Sequence, residues 1–261
     1  MYESIRIDKA GPVWRVVLNR PEVRNAHDLE MFQELVQAFD EVEQDPDCLC
    51  AVLTGEGDIF SAGQDLRFTR GADARAIDAY GRWNVAARQR IQRNHKPVVA
   101  AVNGPAIGGG TYLATACDLI VAVDTAYFQM REIQAGNHAG GALLFTVGRA
   151  RSLELALLGK KIPAPQAEAW GMINRSVPAA GFEAAVDEYV QALLEVPPLA
   201  VRYTKSATNL LLDSAGFSTH LEAGGAMQRY LGLTPDGREA KRAFAEKRKP
   251  KFTGGYPRVA E

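Results

Sequence analysis

The chain has 261 residues, 47% of them hydrophobic, enough for a large buried core built as one long domain or as a domain with an appendage. Its 30 basic and 31 acidic residues give a formal net charge of −1, so nothing in the balance points to nucleic acid or an acidic membrane as partner. Cys48, Cys50 and Cys117 lack metal-ligand spacing and read as reduced core thiols, which excludes a disulfide scaffold.

From the N-terminus, residues 1–11 hold no apolar leader core, and no segment approaches the roughly 18 apolar residues of a membrane helix. The expectation is a soluble cytoplasmic protein. Ile5–Asp8 and Val13–Leu18 read as two strands of a hairpin, followed by a polar turn, NRPEVRNA. Asp28 is placed to cap a helix on Met31, Phe32, Leu35, Val36, Phe39 and Val42, stopped by Asp45-Pro46-Asp47. The continuous apolar run Cys50–Thr54 suits a strand buried on both faces. A loop containing SAGQDL follows, with a bend at Gly63 and a helix starting near Asp65. Asp73–Asn94 reads as a helix on Ile77, Tyr80, Ala87 and Ile91, with Tyr80 and Trp83 either closing a pocket or simply packing.

The stretch from Lys96 to Val123 organises the rest. The strand Val98–Val102 ends at Asn103-Gly104-Pro105, and Gly108-Gly109-Gly110 then opens a helix through Tyr112, Leu113 and Ala116. Glycines at a helix start expose N–H donors and allow close approach, as a phosphate or a developing oxyanion requires. No Lys-Ser/Thr follows the glycines, and the G-x-G-x-x-G spacing is missing, so an oxyanion site is the better reading. Strands at Leu119–Val123 and Ala126–Phe128 come next, then Glu132, a second glycine-rich loop, QAGNHAGGA, and a helix up to Val147. The remainder reads as helices at Ser152–Leu158, Pro165–Trp170, Phe182–Leu194, Pro198–Leu212, Phe217–Leu231 and Pro235–Lys249, with a single strand at Ile173–Val177. Alternating strands and helices predict an α/β fold with a largely parallel sheet, and ligands of such sheets bind beyond the strands' carboxyl ends.

LNRPEVRNA, VLTGEGDIFSAGQDL, KPVVAAVNGPAIGGG with CDLIVA, and AFAEKRKPKF together resemble the crotonase superfamily, the enoyl-CoA hydratase/isomerase family, over nearly the whole chain. The resemblance implies a spiral of ββα units over residues 1–195. A helical region over 196–261 would pack a homotrimer or a dimer of trimers. It also implies an acyl-CoA thioester as substrate, with no separate cofactor, no metal and no nucleic-acid or membrane partner. By the same resemblance the amides of Gln64 and Gly109 hold the thioester oxygen, and Ala62, Gly63, Asp65, Leu66 and Gly108 surround it. Arg67, Phe244, Lys247 and Arg24 match positions that contact CoA, although Lys247 reads equally well as a solvated basic residue and Asp65 as a helix cap.

Two preorganised amides at a developing enolate are each worth about 2.7–4 kcal/mol. Hydratases of the family carry two glutamates, and Glu132 matches the second. The first position is Tyr112, whose phenol titrates at about 10 where a glutamate titrates at about 4.3, so it is no base at neutral pH. A lone carboxylate suits double-bond isomerisation better than hydration. The loop after Glu132 departs from the family pattern, and His138 falls where some relatives place a reacting carboxylate. It is either an acid/base partner or a loop histidine bonded to backbone. The rival readings are acyl-CoA hydrolysis or carbon–carbon cleavage using His138, and a binder that has lost its chemistry.

Overall fold

The computed structural model describes residues 2–139, 141–216, 218–219 and 230–252. Its main sheet runs β1 (Ile5–Ala10), β2 (Val13–Leu18), β3 (Cys50–Gly55), β4 (Val98–Val102), β6 (Leu119–Val123) and β9 (Arg175–Val177), in that spatial order. Only the opening β1/β2 hairpin is antiparallel; every later neighbour is parallel. Each residue of β3 and β4 is buried, which is why these segments lack the alternation of a half-exposed strand. Helix α1 (Leu29–Gln44) starts where the Asp28 carboxylate accepts the Met31 N–H at 3.0 Å. Its Met31, Phe32, Leu35, Phe39 and Val42 all face the core, and it packs beside α3 (Ala74–Arg93). Helix α7 (Phe182–Leu194) covers the sheet near β4 and β6.

Two elements were not legible in the sequence. β5 (Ala106–Ile107) and β8 (Lys161–Pro163) flank β7 (Tyr127–Gln129) in a second, three-stranded sheet. A two-residue strand has no period to detect, and the proline closing β8 signals a turn. The two helices expected up to Val147 and over Ser152–Leu158 form one element, α5 (Leu144–Leu158), kinked where Gly148 leaves helical geometry at φ 73°. The strand expected from Ile173 is shorter at its start, and α6 spans Ala164–Ala169. The last helix, α9 (Pro235–Ala245), ends before the expected Lys249 because Lys247 turns to φ 52° and Arg248 folds back onto Glu239, one of its bonds at 3.0 Å. The helix expected at Phe217–Leu231 lies mostly outside the described residues.

Helix α8 (Pro198–Ser214) has no fully buried residue and presents Leu199, Tyr203, Leu210 and Leu211 outward. Its inner face is fastened to the end of α3. Lys205 Nζ donates to the Lys96 carbonyl (3.1 Å) and to Asp118 (2.6 Å), Asn209 donates to the Gln92 carbonyl (3.0 Å), and Asp213 pairs with Arg93 (2.8 Å). No helix among the described residues is long and apolar enough to cross a membrane.

Candidate active site

Because β3 and β4 are adjacent and parallel, the loops that leave their carboxyl ends start side by side. They stay together. Ser61 N–H donates to the Pro105 carbonyl (3.2 Å) and Ile107 N–H to the Ser61 carbonyl (2.9 Å), a short parallel bridge that carries the first bend up to the second. A second bridge pairs His27 with Gln64: His27 N–H donates to the Gly63 carbonyl and Asp65 N–H to the His27 carbonyl. In such a pairing the N–H of Gln64 points away from His27. Gly63, at φ 88°, lies so close to the second bend that a Cβ there would sit 2.6 Å from the Ile107 carbonyl and 3.5 Å from the Gly109 nitrogen. Gly109 is the first residue of α4 (Gly109–Thr115), where a helix leaves its N–H groups without partners in its own ladder. The structure therefore brings Gly63, Gln64, Gly108 and Gly109 into one corner.

Glu132 follows β7 and closes that corner. A Cβ on Gly108 would meet its Oε1 at 3.0 Å, and its Oε2 is buried without a hydrogen-bond partner. Burial raises the carboxyl to about 7, against weaker opposing pulls from its own and Arg131's backbone N–H groups and from the charge of Arg88. A group at that value is equally ready to take or give a proton near neutrality. Tyr112, buried on α4, faces Arg88 of α3, whose guanidinium lies 5.0 Å over the ring. Arg88 Nε is itself buried and unpartnered.

Under the glycines lies His27, fully buried, its Nδ1 3.1 Å from the Tyr80 hydroxyl and its Nε2 without a partner. A Cβ on Gly109 would sit 2.3 Å from His27 Cε1, so only glycine fits. Burial drives the imidazole down to about 3, which makes it a neutral platform rather than an acid. Phe32 packs on one side of the ring and Tyr80 continues the stack to Phe68.

The remaining expected positions divide into those at the corner and those beyond it. Ala62 is joined to Arg24 by its N–H on the Arg24 carbonyl (3.0 Å), and Arg24 itself is exposed at φ 60°. Asp65 caps α2 (Leu66–Gly71) by accepting the Arg67 N–H (2.9 Å) and receives Arg20 and Arg67 besides. Leu66 and Arg67 are exposed at the rim. His138 sits half-buried in the loop whose Asn137 N–H donates to the Glu132 carbonyl (2.8 Å), and it is already engaged in an interaction. Phe244 stacks under Arg131, while Lys247 is exposed in the tail after α9, which packs on the turn behind Glu132.

Sequence reasoning missed His27 and Arg88. Nothing in the pattern distinguishes His27 from the polar turn before it. Arg88 did leave a signal: it stands half-buried beside the inner stripe of α3 formed by Tyr80, Ala87 and Ile91, where a charge is unusual.

The model of the enoyl-CoA hydratase/isomerase family matches residues 8–255. Among curated proteins, the chain is 33% identical to the "Probable enoyl-CoA hydratase echA8" of Mycobacterium bovis, over 97% of this chain and 98% of that one. It is 34% identical to a "Putative enoyl-CoA hydratase" of Thermus thermophilus, over 95% and 100%. Among solved structures, it is similar to an enoyl-CoA hydratase from Mycobacterium avium subsp. paratuberculosis with TM-score 0.87, 30% identity and coverage of 97% and 100%. An enoyl-CoA hydratase/isomerase from Xanthobacter autotrophicus gives TM-score 0.85, 32% identity and coverage of 94% and 93%. The chain belongs to the enoyl-CoA hydratase/isomerase family of the crotonase superfamily and has its mostly parallel α/β fold.

Proposed function

We propose that this member of the family moves a proton on the acyl chain of an enoyl-CoA through a thioester enolate, with double-bond isomerisation favoured over hydration. The amides of Gln64 and Gly109 receive the thioester oxygen, and Glu132 takes the proton from one carbon and returns it to another. The CoA thioester is the substrate and the chemistry needs no further cofactor. One observation carries this reading: the Glu132 carboxyl, raised to about 7, lies against Gly108, next to the amide of Gly109 and the bend at Gly63. Relatives named as enoyl-CoA hydratases support the substrate class.

Tyr112 supports the preference for isomerisation. Hydration needs a held water and a proton donor together, and the position that resembles the hydratases' first glutamate holds a phenol beneath a cation. The outward leucines of α8 favour assembly of several copies, a homotrimer or a dimer of trimers. Wild type incubated with 2-enoyl- and 3-enoyl-CoA in deuterated water is expected to shift the double bond and incorporate deuterium without releasing free CoA. Thiol release in place of the shift would instead assign a hydrolase.

A further inference from the structure

Proton transfer by Glu132 and two amides leaves Arg88 without a task. Its guanidinium stays charged in any protein environment, and although the residue as a whole is half-buried its Nε is enclosed, where a cation is held best against an anion or a complete set of hydrogen bonds. Arg88 has neither among the described residues. It forms no ion pair, its Nε is enclosed and unpartnered, and the Tyr112 ring 5.0 Å away offers only the partial compensation of a π face. Glu132 is the carboxyl that feels its charge, yet the two are not in ion-pair contact and burial pushes Glu132 toward its neutral form.

The missing anion is not one of the CoA phosphates. These are strongly hydrated and belong at the solvent-facing rim, where Arg24 and Arg67 are exposed, whereas Arg88 is half-buried with its guanidinium over the Tyr112 ring. On the proposed function, the group that reaches Arg88 and Tyr112 is the acyl chain. A guanidinium over a tyrosine face matches a carboxylate there, since its planar fork donates two parallel bonds to the two oxygens. From the unpaired Arg88 beside Tyr112 and Glu132, we infer that the preferred substrate is an acyl-CoA whose acyl chain ends in a carboxylate, received by Arg88. This rests on the reading of the site as an acyl-CoA pocket.

The test compares matched trans-2-enoyl-CoA pairs of five, six and eight carbons, each with a terminal carboxylate or a terminal methyl. The readout is the ratio of kcat/KM for the two members. Wild type is expected to favour the carboxylate in at least one pair by about 100-fold or more, because a site built for a polar group rejects the analogue lacking it. Arg88→Met and Arg88→Gln should collapse that ratio to within about tenfold, and Arg88→Lys should restore part of it. Equal or better use of the methyl member in every pair overturns the inference, as does a ratio that survives replacement of Arg88 while both rates fall together. Should the variants fail to fold, the wild-type ratio alone decides. Turnover of the neutral members only would sink the anion subsite and leave the enolate reading standing; no turnover, exchange or binding of any thioester would sink both.

Discussion

The glycine side of the site and the side-chain wall facing it are built on different principles. The glycine side is main chain from two loops that leave neighbouring buried strands and are stitched together at Ser61 and Ile107. Its proposed chemistry depends on where the backbone goes, and the close contacts at Gly63 and Gly109 leave no room there for a Cβ. The wall is Glu132, Tyr112 and Arg88, drawn from a turn and two helices, and none of them lies in a strand. On the proposed function, the first region carries the oxyanion stabilisation and the second the proton transfer and the choice of substrate.

The largest break in that division is expected at Glu132, the proton carrier of the proposed function. Glu132→Gln is expected to lower kcat for double-bond shift and α-deuterium exchange by about 10²–10⁴-fold. In wild type the rate should rise with pH through about 7 when Glu132 acts as base, and this limb should vanish in the variant. A residual rate with the same pH limb would point to another base.

On the glycine side, Gly109→Ala drives a methyl into His27, 2.3 Å from Cε1, and displaces the amide. Loss of about 10²–10³-fold in kcat is expected, as for removal of one oxyanion donor. An Ala variant with full activity and unchanged melting would show that the amide is not aimed at substrate.

A smaller effect concerns stability. Glu132 titrates near 7 in the fold against an ordinary 4.5, so the folded state holds more protons between these values and wild type loses stability as pH rises through that window. Glu132→Gln removes the penalty. It should be more stable than wild type at pH 8, by up to about 3 kcal/mol, and no more stable at pH 4. Urea melts at the two values check it, and a gap independent of pH would contradict it. The smallest effect is expected for Tyr112→Phe, which keeps the ring under Arg88. Its double-bond-shift rate should change by less than about tenfold, and a larger drop would give the hydroxyl a part in proton transfer.

Much of the glycine side was legible because buried strands and glycine-bounded bends leave unbroken marks: Cys50–Thr54, Val98–Val102, Gly63 and Gly108–Gly110 all appear as continuous stretches. That the two bends lie together was expected from the resemblance and not from periodicity, since the join runs through β5, whose two residues carry no period. Glu132 was found by resemblance; its raised pKa comes from burial contributed by distant segments. His27 became visible only as the atoms beneath Gly109. Arg88 shows the limit most clearly: it adjoins the inner stripe read from Tyr80, Ala87 and Ile91, but no pattern reveals that its Nε has no partner.

The fastenings of α8 have a consequence for shortening the protein. Lys205, Asn209 and Asp213 grip Lys96, Asp118, Gln92 and Arg93, and of these Gln92 and Arg93 lie just past Arg88 at the end of α3. A chain cut ahead of Pro198 would uncap those carbonyls and strand two charges, so the damage would travel inward as fraying of α3. Faster amide exchange over residues 84–96 would register it, although no atom of the glycine corner had been deleted.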